Sequence, residues 1–248
     1  MTHRIAVVTG GAGAIGEEIC KALAAQGCKV AIIEHPAAAA RAQGEWKARM
    51  AAEGYGITVA IADLGDHGST CAAIKAIESE CGPVSILVNA AGITRDSAIR
   101  KMTPQQWREV ISANLDSVFN TTSYVFGGML ERGFGRIINI SSINGTKGQF
   151  GQANYAASKA GIHGFTMSIA LEGAKKGVTA NTVSPGYIAT PMVMAVPEDV
   201  RTKIVAQIPV GRMGEAREIA RMVAFIAHDD SGFMTGANFA INGGQHMH

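Results

Sequence analysis

The chain predicts an α/β protein with a doubly wound parallel sheet and helices on both faces, and three observations carry this reading. Short runs rich in β-branched residues recur along its 248 residues. Longer stretches with apolar residues at three- and four-residue spacing separate them. A glycine-rich turn joins the first run to the first such stretch. Alternation of this kind makes the strands parallel and the crossovers helical.

The first strand is read at Ile5 to Thr9. Thr9-Gly10-Gly11-Ala12-Gly13-Ala14-Ile15-Gly16 then opens a helix carried by Ile15, Ile19 and Leu23. Glycines there let a pyrophosphate approach backbone N–H groups and the positive end of a helix, where a Cβ would block it. Such a turn is also an ordinary strand-to-helix connection, but its place after the first strand favours nucleotide binding. The second strand, Val30 to Ile33, runs into Glu34, about twenty positions on, where a carboxylate can accept hydrogen bonds from an adenosine ribose. Further strands are read at Ile57 to Ala62, Val84 to Asn89, Arg136 to Ile140, Val178 to Val183 and Asn238 to Ile241, seven in all. Pro185 to Pro209 is the least regular stretch, with a helical middle, and a mobile substrate lid is expected within 187–212.

Hydrophobic residues make up 47% of the chain and charged ones 17%, with no linker-like interruption, so residues 1–248 are read as a single domain. A net charge of +2 without a basic, aromatic-interleaved run gives no reason to invoke nucleic acid or an anionic membrane. The amino terminus lacks the segments of a signal peptide and no apolar run is long enough to span a bilayer, so a cytoplasmic location is expected. Cys20, Cys28, Cys71 and Cys81 show no CxxC spacing and are read as reduced thiols. The histidines form no ligand cluster, and no metal is expected.

Tyr155 and Lys159 are four residues apart and share a helical face. A phenol titrates near ~10, so using one near neutral pH means stabilising its phenolate by roughly 4 kcal/mol, which an ammonium in a partly dry cleft can supply. Alone, the pair is an ordinary surface arrangement. Its company is Ser141 and Ser142, directly after the run Arg136 to Ile140, at the carboxyl edge of the sheet where ligands bind.

With these motifs in order, the chain resembles the short-chain dehydrogenase/reductase family over essentially its whole length. The resemblance rests on Thr9-Gly10-(x3)-Ala14-x-Gly16, Asp63-Leu64, Asn89-Ala90-Ala91-Gly92, Asn114, Ser142, Tyr155-(x3)-Lys159 and Pro185-Gly186. Ala14 stands where glycine is usual, and Ala90 where a second asparagine is common. A Rossmann-type fold and a nicotinamide cofactor are implied. Tyr155 would protonate the carbonyl oxygen as hydride arrives, Lys159 would depress its pKa and bind the nicotinamide ribose, Ser142 would hydrogen-bond the same oxygen, and Asn114 would hold a water in the proton path. Ser141 is the rival of Ser142, and the family's spacing to the tyrosine favours Ser142. The cofactor would meet Gly10, Gly13, Ile15, Gly16, Glu34, Asp63, Leu64, Asn89, Gly92, Tyr155, Lys159, Pro185, Gly186, Ile188 and Thr190. Asp63 could equally cap a helix, and Asn89 and Gly92 could be turn residues. Glu34, followed by His35-Pro36 and four alanines, favours NADH over NADPH; Arg41 keeps NADPH as the alternative.

A narrower resemblance lies in Gly92-Ile93-Thr94-Arg95-Asp96, Lys101-Met102-Thr103, Gly148-Gln149-Phe150-Gly151-Gln152, His163-Gly164-Phe165-Thr166-Met167 and Asn242-Gly243-Gly244-Gln245-His246-Met247. These segments look like the branch that reduces acetoacetyl-CoA in polyhydroxybutyrate synthesis, itself similar to the 3-oxoacyl-[acyl-carrier-protein] reductases. The implied substrate residues are Asp96, Lys101, Gln149, Phe150, Gln152 and Tyr187. For Asp96 and Lys101 a solvated charged pair is the plainer alternative, and for Phe150 a core or interface aromatic. The implied activity is reduction of acetoacetyl-CoA to (R)-3-hydroxybutyryl-CoA by a homotetramer. The alternatives are the carrier-protein substrate and, more remotely, an inactive nucleotide-sensing scaffold.

Overall fold

A computed structural model describes residues 4–247. Seven parallel strands form one sheet in the order β3-β2-β1-β4-β5-β6-β7: β1 Ile5–Thr9, β2 Lys29–Glu34, β3 Ile57–Ile61, β4 Val84–Asn89, β5 Gly135–Ile140, β6 Val178–Pro185 and β7 Asn238–Ile241. The chain builds outward from β1 to β3, then returns to place β4 on the other side of β1. That reversal opens a crevice beyond the carboxyl ends of β1 and β4.

Neighbouring residues of one strand face opposite layers, which is why the central strands carry apolar residues on both faces. Ala6 and Val8 of β1 join Ile19 and Leu23 of the helix Ala14–Ala25 and Val223 of the helix Ala216–Ala227. Val7 faces the other way, toward Ile74 of the helix His67–Cys81, Met129 of the helix Ser117–Arg132 and Ile169 of the helix Ala153–Gly173. Polar groups register that second layer. Asn89 donates to Asn139 Oδ1 at 2.8 Å and accepts from Thr121 Oγ1 at 2.7 Å, and Asn139 donates to Thr166 Oγ1 at 2.9 Å. Two helices are thereby pinned against β4 and β5, since an unpaired amide at this depth would be costly.

The expected strands are all present. β6 runs two residues beyond the expected Val183, because Ser184 and Pro185 pair with Ala240 and Ile241. Residues 187–212 hold two short helices, Pro191–Met194 and Glu198–Val205, neither with a buried residue. Among the described residues no helix is long and apolar enough to cross a membrane, and no metal-holding cluster occurs.

Candidate active site

Two cavities lie along the crevice and share Ala90, Gly92 and Ile93 as a common wall. The first, about 320 Å³, is lined by Gly10, Gly13, Glu34, Asp63, Leu64 and neighbours. The second, about 300 Å³, holds Ser142, Tyr155, Lys159, Pro185, Gly186, Tyr187, Ile188 and Thr190 with Ile15.

The glycine-rich turn is built for close approach. Gly10 has a φ of +65°, and a Cβ there would come 3.0 Å from Ala91 Cα. A Cβ on Gly16 would sit 2.2 Å from the Gly10 carbonyl oxygen, so Gly16 serves the packing of the turn on its helix rather than lining the cavity. The turn therefore presents backbone instead of side chains, as a bound pyrophosphate requires. Glu34 ends β2 and is only 7% exposed. It accepts the Ala12 N–H at 2.6 Å, and burial pushes its carboxyl up, opposed by that hydrogen bond and by Arg41. Arg41 donates to the Ala12 carbonyl oxygen at 2.9 Å. Asp66, not Asp63, caps the helix His67–Cys81, accepting from Ser69 N at 2.6 Å. Asp63 instead accepts from Gly65 N at 2.9 Å and stays on the cavity wall. The adenosine end of a dinucleotide fits this half: a glycine cradle, a carboxylate at the ribose end and an apolar slot beyond.

In the second cavity Ser141 and Ser142 separate in role. Ser141 donates to the Lys159 carbonyl oxygen at 3.0 Å and so ties β5 to the helix Ala153–Gly173. Ser142 hydrogen-bonds Tyr155, which lowers the phenol's pKa, but burial outweighs this and holds the phenol above its usual value, with the Asp96 charge adding to the rise. Lys159 Nζ lies 5.6 Å from the Tyr155 ring centroid and donates to the Ile140 carbonyl oxygen at 2.8 Å. Burial brings the ammonium down to about 8. The expected depression of the tyrosine by its lysine is thus not the net effect in this geometry: the ammonium is turned toward a backbone carbonyl, and desolvation sets the phenol's direction.

Asn114 sits on a π-helical turn, Ser112–Asp116, between the helices Pro104–Ile111 and Ser117–Arg132. Its Oδ1 accepts from Ile93 N at 2.8 Å, and its Nδ2 donates to the Ile93 carbonyl oxygen and to Ser158 Oγ. Every polar atom of its side chain is engaged, so that side chain fixes the Gly92–Ile93 wall. A Cβ on Gly92 would fall 3.2 Å from Asn114 Oδ1 and 3.5 Å from Lys159 Nζ, which is why glycine stands there. Asn89, expected against the cofactor, points instead into the polar network beneath the crevice.

The expected substrate residues divide. Tyr187 lines the second cavity. Gln152 donates to both Asp96 carboxylate oxygens at 3.1 and 3.0 Å and accepts from Asn144 Nδ2 at 2.9 Å, while Asn144 N donates to Ser142 Oγ at 3.1 Å. Asp96 is therefore joined to Ser142 through the Gln152 side chain and then the side chain and backbone N–H of Asn144, and it is not paired with Lys101. Lys101, Gln149 and Phe150 are exposed and line neither cavity; Phe150 is 91% exposed. Sequence reasoning missed Thr94, Met192 and Val193 on the second cavity and Ala113 on the first. Thr94 follows Gly92 by two residues and Met192 follows Thr190 by two, a signal that chain proximity offered; Ala113 carried none.

The family model for short chain dehydrogenase matches residues 4–201. The chain is 56% identical over 245 residues to "Acetoacetyl-CoA reductase" of Allochromatium vinosum, covering 99% of both chains. It is 52% identical over 247 residues to the protein of the same name from Cupriavidus necator, covering 100% of both. The crystal structure of gox2181 superimposes with a TM-score of 0.92 at 34% identity, covering 99% of this chain and 96% of that one. A nucleotide-sized crevice at the strand reversal, a tyrosine one turn from a buried lysine and this breadth of likeness agree: the chain belongs to the short chain dehydrogenase family, oxidoreductases that act on a CH–OH group with NAD(P)(H).

Proposed function

We propose that the chain reduces acetoacetyl-CoA to (R)-3-hydroxybutyryl-CoA, with NADH preferred over NADPH, as a single-domain cytoplasmic protein working as a homotetramer. The observation that carries this reading is the convergence of Ser142, Tyr155 and Lys159 on one cavity that shares a wall with the Glu34 cavity. Relatives with matching full-length coverage bear the name of that activity.

A bound nicotinamide supplies the hydride. Gly10, Gly13, Ile15, Asp63, Leu64 and Gly92 hold the cofactor along the crevice, and Pro185, Gly186, Ile188 and Thr190 close its reactive end. Ser142 and the Tyr155 hydroxyl orient the 3-oxo oxygen, and Tyr155 gives that oxygen its proton. A phenol held up by burial keeps this proton at neutral pH, as the reductive direction needs. The Lys159 ammonium steadies the phenolate left behind. Asp96, Gln152 and Tyr187 border the acyl group, Lys101 meets a phosphate of the CoA, and Gln149 and Phe150 cover the thioester arm. The helices Pro191–Met194 and Glu198–Val205 form a lid, supported by their lack of any buried residue.

Initial rates on acetoacetyl-CoA with NADH and NADPH in parallel, and on the matching acyl-carrier-protein thioester, test the reading. A higher kcat/KM on the carrier-protein thioester would move the assignment to the 3-oxoacyl-[acyl-carrier-protein] reductases.

A further inference from the structure

Away from the reacting groups, three side chains run in line from a buried amide to the surface: Asn120, His67 and the half-buried Cys71. Cys71 Sγ lies 3.5 Å from His67 Nε2, and His67 Nδ1 lies 3.3 Å from Asn120 Oδ1. Backbone groups fix the direction of these bonds. Asn120 Nδ2 donates to the Leu64 and Gly65 carbonyl oxygens at 2.8 and 3.3 Å. Carbonyls only accept, so the Asn120 amide cannot be reversed, and the atom it turns toward His67 is its oxygen. An amide oxygen cannot donate; His67 Nδ1 therefore carries the hydrogen. A neutral imidazole protonated at Nδ1 has its lone pair at Nε2, the nitrogen against Cys71. The thiol must be the donor in that contact.

The His67 ring is exposed and has an aromatic neighbour. It stacks on Phe119 with centroids 6.3 Å apart and planes 28° apart, and His67 and Cys71 share one face of the helix His67–Cys81. A nucleophile against a base whose other nitrogen is held by a third group is the arrangement that activates a thiol. The other cysteines lack it. Cys20 and Cys28 are buried, with burial pushing Cys20 up and Cys28 up to about 11. Cys81 is half-buried like Cys71 but faces the Thr58 hydroxyl at 3.5 Å, which is no base at neutral pH.

We propose that Cys71 is a thiol–disulfide exchange site, served by His67 as base and Asn120 as its orienter, that takes small disulfides of the glutathione type. The Cys71 proton passes to His67 Nε2 and the thiolate attacks one sulfur of the disulfide. A Cys71 mixed disulfide forms, the original S–S bond breaks, and the departing thiolate takes the proton from His67. One thiol and one disulfide enter; one of each leaves.

The test is a time course of the full-length protein with oxidised glutathione, read by mass mapping of each cysteine. Cys71 is expected to acquire the adduct about tenfold or more faster than Cys81, a modest demand on general-base assistance. His67→Gln should bring Cys71 down to the rate of Cys81 while leaving Cys81 unchanged. Lack of adduct at Cys20 and Cys28 reports that the variant is folded. Equal rates at Cys71 and Cys81 in the native protein, or undiminished reaction at Cys71 in folded His67→Gln, would overturn the proposal.

Discussion

Glu34 and Arg41 meet on one residue: the carboxylate accepts the Ala12 N–H at 2.6 Å, and the guanidinium donates to the Ala12 carbonyl oxygen at 2.9 Å. Arg41 is thus occupied at the rim of the glycine-rich turn, and swinging it toward a ribose phosphate would cost it that bond. A carboxylate about 5 Å from such a phosphate repels it by about 3 kcal/mol per unit charge at an effective dielectric of 20, before screening by salt. We expect NADH to be favoured by about tenfold or more, and Glu34→Ser to relax the ratio. Steady-state kcat/KM for both cofactors checks this; native protein that uses NADPH equally well sinks the idea.

Tyr155→Phe keeps the ring and removes the proton. With Ser142 still in place, the reductase rate should fall by about 10²-fold or more, the usual worth of a positioned acid. Cofactor affinity, measured by fluorescence titration, should stay within a few-fold of native. Near-native turnover in this variant would reassign the proton donor.

Lys159 is a charge the fold holds at a cost. Its folded-state value of about 8 lies below the ordinary 10.5, so between those two pH values the unfolded chain binds a proton that the folded chain has released. Stability must then rise as pH climbs through that window, and the penalty is complete below it. Lys159→Met removes the penalty, less the bond to the Ile140 carbonyl oxygen, for a net gain of about 2 kcal/mol at neutral pH. Reductase activity should be lost in the same protein. Denaturant melts at pH 7 and pH 10 decide it, since a variant no more stable than native at pH 7 contradicts the argument.

Phe150 separates substrate contact from stability. Being almost fully exposed, it contributes little to the folded chain, and Phe150→Ala should leave the melting midpoint nearly unmoved. If its ring covers the acyl thioester, kcat/KM on acetoacetyl-CoA falls by a factor corresponding to about 1–3 kcal/mol. An unchanged kcat/KM together with a weakened oligomer would assign the ring to a subunit contact.

The strand pattern was legible because both faces of this sheet are covered, so β1 and β4 read as mainly apolar, β-branched runs with their observed bounds, broken in β4 by Ser85. β6 was read short because Ser184 and Pro185 look like the start of a turn, while their partners in β7 lie more than fifty residues on. The reactive groups were legible because Tyr155 and Lys159 follow helical spacing. What stayed hidden depends on direction rather than position. Nothing in the chain says that Asn89 turns inward, that Lys159 reaches a backbone carbonyl, or that Phe150 stands in solvent. Those outcomes are settled by helices and loops packed from distant segments, and the Asp96–Gln152–Asn144–Ser142 connection spans three of them.

The π turn at Ser112–Asp116 amounts to one residue inserted into an otherwise regular helix. Each helical residue advances the side-chain direction by about 100°. Deleting a single residue there would restore ordinary helical winding, and in doing so would swing Asn114 off Ile93 or carry Thr121 off Asn89, depending on which side yields. The active-site wall and the floor beneath the sheet are geared to each other through that one extra residue. Length changes that surface loops accept freely should be forbidden at this place, and any redesign of the crevice has to keep the register of this helix residue for residue.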